Sequence, residues 1–229
     1  MTDPDRADAP APRLEPPSGF SQLGNLLPFA LLAAGLTLAL GLADTAAARL
    51  GLFAAWLYLL PPLAARALIL GFGRPVGQLR QSMPAYRVWW LLTQLQMPFN
   101  RLPMLEELLR LFPALYPAWI ALWGGGISAR AFVGPGVIVT DRWLVTVGPG
   151  AILGFGSALA GHMVARDADG RFVVTVAAPE VGAEAIVGGG AGIGPGAVLS
   201  PGALLPAGRR LGPFDRWPRP ASRAEAPAR

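Results

Sequence analysis

A six-residue repeat near the C-terminal end of the chain restricts the fold more than any other feature. In each hexapeptide an aliphatic residue opens the unit, and a small residue lies four places later. The aliphatic side chain can point into a triangular prism, the small one fits a corner, and glycines supply the positive φ of the turns. The pattern therefore predicts a mainly β fold, a left-handed parallel β-helix stabilised by the stacking of its coils. The aliphatic positions are Val181, Val187, Ile193, Leu199, Leu205 and Leu211, and the small ones are Ala185, Ala191, Ala197 and Ala203.

The same texture extends towards the N-terminus with two interruptions. The first is a slip of two residues in the phase near Asp141. The second is the polar segment Arg166–Arg171, which has to leave the prism as a loop just after His162. We therefore expect a β-helix domain over residues 127–212, with four to five coils and one protruding loop. Its earlier aliphatic positions are Ile127, Val133 and Val139 before the slip, and Val147, Leu153 and Leu159 after it.

Two long apolar runs precede the repeat, in a chain that is 53% hydrophobic and only 14% charged. The runs, Leu26–Ala43 and Leu50–Phe72, are each long enough to cross a bilayer core of about 30 Å. The short link Asp44–Arg49 predicts a transmembrane helical hairpin within residues 22–73. Three alternatives remain open. They are a cleaved secretory signal, which the acidic segment before the first run disfavours, two buried helices of a soluble protein, and a re-entrant hairpin broken at Pro61-Pro62.

The placement of arginine predicts the orientation of this hairpin. All 19 basic residues are arginine, the formal net charge is +5, and several arginines follow the second run. By the positive-inside rule, this flank and the β-helix domain lie on the cytoplasmic side of a bacterial inner membrane. We attribute the basic band to contact with anionic lipid of the bilayer and expect no nucleic-acid partner. The arginines after the second run are Arg74, Arg80, Arg87, Arg101 and Arg110.

Residues 74–126 mix arginine with aromatic residues, a composition that is typical of proteins in the headgroup region of a membrane. We predict short amphipathic helices that lie on the membrane there, for example Tyr86–Gln96 and Leu105–Phe112. An amphipathic cap packed on the β-helix is the alternative. Residues 1–21 and the basic segment 213–229 are predicted to be disordered tails.

The chain has no cysteine and one histidine, His162. Thiolate nucleophiles are therefore excluded, as are zinc sites of three histidines such as that of a γ-type carbonic anhydrase, and no metal site is expected. The glycines of Gly192–Ala197 match a dinucleotide-binding fingerprint. However, Pro195 and the hexapeptide phase occupy the positions at which that fingerprint needs a strand followed by a helix.

The hexapeptides of residues 127–211 resemble those of the hexapeptide-repeat acyltransferases. In that family an aliphatic residue is followed by Gly, Ala, Glu or Asp, and Ser, Thr, Ala or Val occupies the fifth place. The closing segment Leu205-Pro206-Ala207-Gly208 is similar to the last coil of those enzymes. The wider arrangement resembles membrane-attached members, including the terminal domains of poly-lysine-synthetase-type enzymes, in which an aromatic helical segment leads into the β-helix. The residues that carry this second resemblance are Ile127–Val139, Asp141, Leu144-Val145, Val147-Gly148, Leu153-Gly154 and Gly161-His162.

The resemblance implies acyl transfer from a pantetheine thioester to a hydroxyl or amine. The donor would be acetyl-CoA, another acyl-CoA or an acyl carrier protein. The enzyme would be a homotrimer with its active sites between neighbouring prisms. His162, the sole histidine, would act as the general base. Asp141 would either orient that histidine or cap a turn.

The resemblance also implies contacts with the donor. A backbone amide, that of Gly156 or Gly161, would steady the oxyanion. Arg209 and Arg210 would meet the phosphates of coenzyme A, unless they belong to a solvated tail that faces the membrane. A second function stays open, that of a non-catalytic β-helix scaffold in a membrane assembly, because a fold does not determine a function. A scaffold would have no need of His162 and its loop.

Overall fold

The structure, a computed structural model, describes residues 15–112 and 114–218. Within these residues, helices dominate the first half and short strands the second. The helices are α1 (Gly19–Gly24), α2 (Leu27–Leu42), α3 (Ala46–Phe72), α4 (Pro84–Arg101), α5 (Met104–Arg110) and α6 (Leu115–Trp123). The strands are β1 (Gly77–Leu79), β2 (Gly126–Ile127), β3 (Phe132–Val133), β4 (Ile138–Val139), β5 (Thr146–Val147), β6 (Ile152–Leu153), β7 (Ala158–Leu159), β8 (His162–Arg166), β9 (Phe172–Val176), β10 (Glu180–Val181), β11 (Ile186–Val187), β12 (Gly192–Ile193), β13 (Val198–Leu199), β14 (Leu204–Leu205), β15 (Arg210–Leu211) and β16 (Arg216–Trp217).

The short strands coil into a parallel β-helix with three faces. The faces are sheets with strand orders β2-β5-β10-β13-β16, β3-β6-β11-β14 and β4-β7-β12-β15. The three sheets contain five, four and four strands, so the β-helix has the predicted four to five coils. Its parallel strands are consistent with the predicted left-handed form. The aliphatic positions of the repeat point into the prism and are buried, as Val187, Leu199 and Leu205 show with an exposed fraction of 0%. The fold class is therefore confirmed.

Glycine has two roles in these coils, as Gly188 and Gly190 show. A Cβ atom on Gly188 would lie 2.7 Å from the carbonyl oxygen of Leu205, so glycine alone lets the neighbouring coil stack there. Gly190 has a φ of +67°, in the left-handed region that glycine adopts without strain. The sequence pattern assigned glycine to the turns, and the structure adds the close stacking of coils at Gly188.

The β-helix continues past its predicted end at residue 212. Strand β16 pairs with β13, and the Trp217 indole N–H donates to the carbonyl of Leu204 at 2.8 Å. Trp217 follows Leu211 by six residues, so an aromatic side chain continues the aliphatic phase. At the other end, α1 begins at Gly19, inside the predicted N-terminal tail. Helix α1 and strand β16 thus extend into the segments predicted as disordered tails, and the rest of both tails lies outside the described residues.

The two apolar runs form helices α2 and α3, which pack against each other. By length and composition both can cross a membrane, when α1 is counted with α2. Only 17% and 22% of their most apolar windows is buried, whereas a core helix of a soluble protein is mostly buried. Helix α2 ends at Leu42 and α3 begins at Ala46, so the link between them is shorter than the predicted Asp44–Arg49. The Thr45 hydroxyl caps α3 by accepting from the Ala48 amide. Pro61 and Pro62 lie inside a continuous α3.

Helices α4, α5 and α6 form a layer between the helical hairpin and the β-helix. The predicted short helices Tyr86–Gln96 and Leu105–Phe112 correspond to the longer α4 and to α5. Much of α4 is buried, so it is a packed cap rather than a helix that only lies on a surface. Tyr58 of α3 joins the layers, since its ring lies 5.7 Å from Phe99 and its carbonyl accepts from the Trp119 indole at 2.9 Å. The buried stripe of α3 on this side is Leu57, Pro61, Ala65 and Ile69.

A buried ionic network fastens the helical layer to the β-helix. Arg142 lies in the two-residue phase slip with an exposed fraction of 1%, and its Nε donates to Oε1 of Glu106 at 2.8 Å. The second oxygen of Glu106 accepts from the Tyr116 hydroxyl at 2.7 Å and from Arg110 at 3.0 Å. Burial, and then the charge of Glu106, raises the pKa of Tyr116 far above its ordinary value, so its hydroxyl remains a donor. The helical layer and the β-helix are thus joined by hydrogen bonds and ion pairs at the phase slip.

Candidate active site

The phase slip also brings Asp141 to His162. Asp141 follows strand β4, and Gly161-His162 follows β7, which pairs with β4 in the same sheet. Because stacked parallel strands run in register, residues just beyond their ends lie side by side. Asp141 therefore lies beside Gly161 and His162, at the start of the hairpin β8–β9.

The carboxylate of Asp141 holds the imidazole of His162. His162 Nδ1 lies 2.7 Å from Asp141 Oδ2. The same oxygen accepts from the Gly161 amide at 3.0 Å and from the Thr140 hydroxyl at 2.6 Å. Asp141 is 1% exposed, whereas the His162 side chain is 24% exposed. A buried carboxylate therefore fixes one ring nitrogen of a histidine whose ring reaches solvent.

The protonation of His162 follows from this pair. Burial lowers the pKa of His162, but the hydrogen bond to Asp141 and the charge of that carboxylate raise it more, so the net pKa lies above the ordinary value. A carboxylate at Nδ1 favours the tautomer that has its proton on Nδ1, which leaves the lone pair on Nε2. Among the described residues, Nε2 has no hydrogen-bond partner. The ring can therefore accept a proton from a bound molecule.

The amides that were expected to steady an oxyanion are already used. The Gly161 N–H donates to Asp141, and the Gly156 N–H donates to the carbonyl of Pro135 at 3.0 Å. A contact between the acyl donor and Gly161 stays a prediction, and in this structure the Gly161 amide serves Asp141 instead. A Cβ atom on Gly161 would lie 2.7 Å from Cβ of Asp141, so this glycine makes room for the carboxylate and orients it.

Trp89 contacts the candidate base, although the sequence analysis placed the aromatic residues of 74–126 in the headgroup region of a membrane. Its ring centroid lies 5.3 Å from that of His162 with an interplanar angle of 69°, an edge-on contact. Trp89 belongs to α4 and is 2% exposed. Hexapeptide phase carries no information about which residue of a helical cap reaches the prism, so only the tertiary structure reveals this contact.

The protruding segment is a β-hairpin rather than an irregular loop. Strand β8 begins at His162 and pairs antiparallel with β9, and β1 adds to the far side of β9. The predicted polar segment Arg166–Arg171 forms the tip, where Asp167 accepts from the amides of Asp169 and Arg171. The hairpin places His162 at its base, against the helical layer.

Arg209 and Arg210 lie in the β-helix and not in a tail. Arg210 in β15 pairs with Gly192 in β12, and Gly192 pairs with Ala158 in β7. Arg210 therefore lies on the same face of the β-helix as β7, the strand before His162. Two rungs separate Arg210 from Ala158, about 10 Å at the spacing of neighbouring strands. The Arg209 guanidinium lies 4.7 Å from the ring centroid of Trp217. The structure thus brings His162, Asp141 and Gly161 together and leaves both arginines at the end of the same face.

Compared by sequence, the chain matches no protein-family model and no curated protein. Compared by structure, it is similar to serine acetyltransferase from Neisseria gonorrhoeae in complex with serine, with 17% identity, a TM-score of 0.27, and coverage of 82% of this chain and 80% of that one. The soybean serine acetyltransferase apoenzyme has 18% identity, a TM-score of 0.22, and coverage of 85% and 80%. Isoform 3 of serine acetyltransferase from Entamoeba histolytica, in complex with cysteine, has 10% identity, a TM-score of 0.22, and coverage of 94% and 85%. Similarities this weak carry no argument about the chemistry of the chain.

Proposed function

We propose that the protein is a membrane-anchored acyltransferase. It moves an acyl group from a pantetheine thioester to a hydroxyl or amine of an amphipathic acceptor, and His162 is the general base. The observation that carries the proposal is the ring of His162, held at Nδ1 by the buried Asp141 while Nε2 remains open. A histidine oriented by a carboxylate is the arrangement expected of a base that works near neutral pH.

The reaction needs no covalent intermediate on the protein. His162 Nε2 takes the proton of the acceptor while the acceptor oxygen or nitrogen attacks the thioester carbonyl carbon. The carbon–sulfur bond then breaks, and the leaving thiolate takes the proton from the imidazolium. Asp141 stabilises that imidazolium during the step. The chain has no cysteine, which agrees with direct transfer.

The donor is acetyl-CoA, another acyl-CoA or an acyl carrier protein. We place its pantetheine arm along the face β4-β7-β12-β15, where the small residues Ala158 and Gly192 lie in register with Arg210. The guanidinium groups of Arg209 and Arg210 suit the phosphates of such a donor. In this placement the donor extends over the two rungs that separate β15, the strand of Arg210, from β7, the strand before His162.

His162→Ala is expected to lower thioester consumption by about 10²- to 10⁴-fold, because a positioned general base contributes that much. The measurement is release of the donor thiol by protein in lipid nanodiscs. Acetyl-CoA, longer acyl-CoAs or acyl carrier protein serve as donors, and total membrane lipid or a polar extract as acceptor. Met163→Ala is the matched control, since Met163 is the next residue along β8 and is 41% exposed.

Two results would contradict the proposal. Equal rates for the wild type and His162→Ala would remove His162 from the mechanism. A folded wild type that consumes no thioester from any of these donors would favour the non-catalytic scaffold.

We also propose that the chain is a homotrimer in the bacterial inner membrane, with the β-helix on the cytoplasmic side. The mostly exposed α2 and α3 support the anchor. An exposed apolar column on the face β3-β6-β11-β14 supports self-association. Native mass spectrometry of nanodisc particles is expected to show three chains, and protease is expected to cleave the β-helix in inverted but not in right-side-out vesicles. A monomer, or the opposite cleavage, would refute the corresponding part. The column is Phe132, Ile152, Ile186 and Leu204.

A further inference from the structure

A cavity of about 280 Å³ lies beside the candidate base, between the hairpin β8–β9 and helices α1 and α4. Trp89 lines this cavity and also meets the edge of the His162 ring. The volume is just below the roughly 300–1,000 Å³ that is typical of ligand pockets. Its apolar walls are formed by Tyr86, Trp89, Trp90, Val164, Phe172 and Val174.

Several polar groups on the walls are already hydrogen-bonded within the protein. The hydroxyl of Ser21 lies 3.0 Å from that of Tyr86, and the Trp90 indole N–H donates to the carbonyl of Ser21 at 3.1 Å. The side-chain oxygen of Gln81 accepts from the amide of Ser18 at 2.6 Å. A polar ligand would lose its hydration and gain few partners, whereas an apolar chain would remove aromatic surface from water. The walls therefore favour an apolar occupant.

The indole of Trp89 is the exception. Its Nε1 is buried and has no hydrogen-bond partner among the described residues. A buried donor without a partner is costly, and a ligand that supplies an acceptor atom removes that cost. Because the Trp89 ring contacts the His162 ring, an oxygen or nitrogen bound there would lie close to the candidate base. The cavity thus has apolar walls, and Trp89, which lines it and contacts His162, carries a buried donor without a partner among the described residues.

The first candidate membrane span, Gly19–Leu42, contributes Ser21 and Asn25 to the walls of the cavity. Asn25 lines it and also lines a second cavity of about 450 Å³ between α2 and α4. The second cavity is bordered by Pro28, Phe29 and Leu32, in the first turns of α2. The two cavities therefore share Asn25 as a common wall residue.

We propose that the cavity beside His162 holds the apolar chain of a single-chain amphiphile, and that this amphiphile is the acyl acceptor. The proposal rests on the acyltransferase function stated above. The hydroxyl or amine of the amphiphile lies at Trp89 and His162, and its chain lies between the hairpin and α4. A volume below the usual range of ligand pockets fits one chain rather than the two chains of a phospholipid.

The test fills the cavity from the hairpin. Val164→Trp places an indole in it without disturbing a packed core, because Val164 is 49% exposed. Met163→Trp is the matched control, since adjacent residues of a strand point to opposite faces. The probe is a monoacylglycerol with a photoreactive diazirine in its chain, in vesicles of phosphatidylethanolamine and phosphatidylglycerol. We expect wild-type labelling at Trp89, Trp90 or Phe172, unchanged labelling in Met163→Trp, and a loss of about tenfold or more in Val164→Trp.

A second arm separates the two sources of an apolar chain. A diazirine-bearing long-chain acyl-CoA is expected to leave the cavity unlabelled; labelling by this probe in preference to the monoacylglycerol would assign the chain to the donor and overturn the proposal. Equal labelling of Val164→Trp and Met163→Trp would overturn it as well, even if transfer depends on His162. Cavity labelling that survives His162→Ala supports the site even where no transfer is detected, a result that would count against the transferase function instead.

Discussion

Asp141→Asn is expected to lower the rate of acyl transfer by about 10²- to 10⁴-fold, the range attributed to a positioned acid–base group. Asparagine can keep the hydrogen bonds that Asp141 accepts from Gly161 and Thr140, so the local fold is retained. It carries no negative charge, however, and the imidazolium that forms on His162 during the reaction loses its stabilising partner. We therefore propose that Asp141 is a positioning residue that acts through His162.

The pH dependence of the rate reports this role directly. The pKa of His162 is raised in the wild type, and only the neutral ring can act as a base. The rate should therefore rise with pH through the raised pKa and level off above it. In Asp141→Asn the interactions that raise the pKa are weakened, so the rising limb should move to lower pH while the plateau falls. The single histidine of the chain makes its NMR titration a direct check on the same pKa.

The same shift links pH to stability. A folded state that binds the His162 proton more tightly than the unfolded chain is stabilised by that proton. This contribution is fully present below the ordinary histidine pKa of about 6.5, and it is lost as the pH rises through the raised value.

Asp169→Asn is the matched control for Asp141→Asn, because Asp169 is an exposed carboxylate at the tip of the same hairpin. A rate loss in Asp141→Asn without a shift of the rising limb would indicate a merely structural role.

The sequence predicted those parts of the molecule that depend on a repeated local pattern. Stacked coils need an aliphatic residue at every sixth position, so Val187 and Leu205 could be assigned to the prism from their spacing alone. The phase slip at Asp141 and the polar segment after His162 were visible as interruptions of that spacing. The resemblance offered two roles for Asp141, to orient His162 or to cap a turn. The contact between the two side chains depends on the register of β4 and β7, which the spacing alone does not give.

The helical layer could not be predicted to the same depth. Its aromatic and arginine content is typical of a membrane interface, and the same composition serves a cap that packs on a β-helix. Trp89, which contacts His162, and Glu106, which pairs with Arg142, are placed by tertiary packing alone. The extent of the β-helix was underestimated for a related reason. Trp217 keeps the six-residue phase, but an aromatic side chain does not match the aliphatic pattern.

Glu106→Gln is expected to destabilise the protein by about 3–5 kcal/mol, the cost of breaking a buried ion pair from one side. The side chains of Arg142 and Arg110 are 2% and 7% exposed, and both meet the carboxylate of Glu106. Glutamine keeps the shape of the side chain but removes its charge, so two guanidinium groups remain buried without that counter-ion. The Tyr116 hydroxyl also loses a charged acceptor.

Glu107→Gln is the matched control for this change. Glu107 is the next residue, it also pairs with Arg110, and its side chain is 37% exposed. The carboxylate of Glu107 is partly exposed, so its loss is expected to cost about 1 kcal/mol, the upper end for surface pairs. The two variants therefore differ mainly in the burial of the carboxylate. Unfolding in nanodiscs, followed by tryptophan fluorescence, compares them, because Trp119 and Trp123 lie in the same helical layer. Equal losses of stability would show that this network does not hold the helical layer on the β-helix.

The network also connects stability to the candidate active site. Arg142 and Asp141 are neighbours in the phase slip, and the Arg142 amide donates to Oε1 of Gln96 at 2.7 Å. When Glu106→Gln loosens Arg142, Asp141 loses the anchor that holds it beside His162. The variant should therefore transfer acyl groups more slowly than Glu107→Gln at temperatures where both remain folded. A wild-type rate in a destabilised but folded Glu106→Gln variant would show that the carboxylate keeps its place without the network, and that the β-helix alone positions the base.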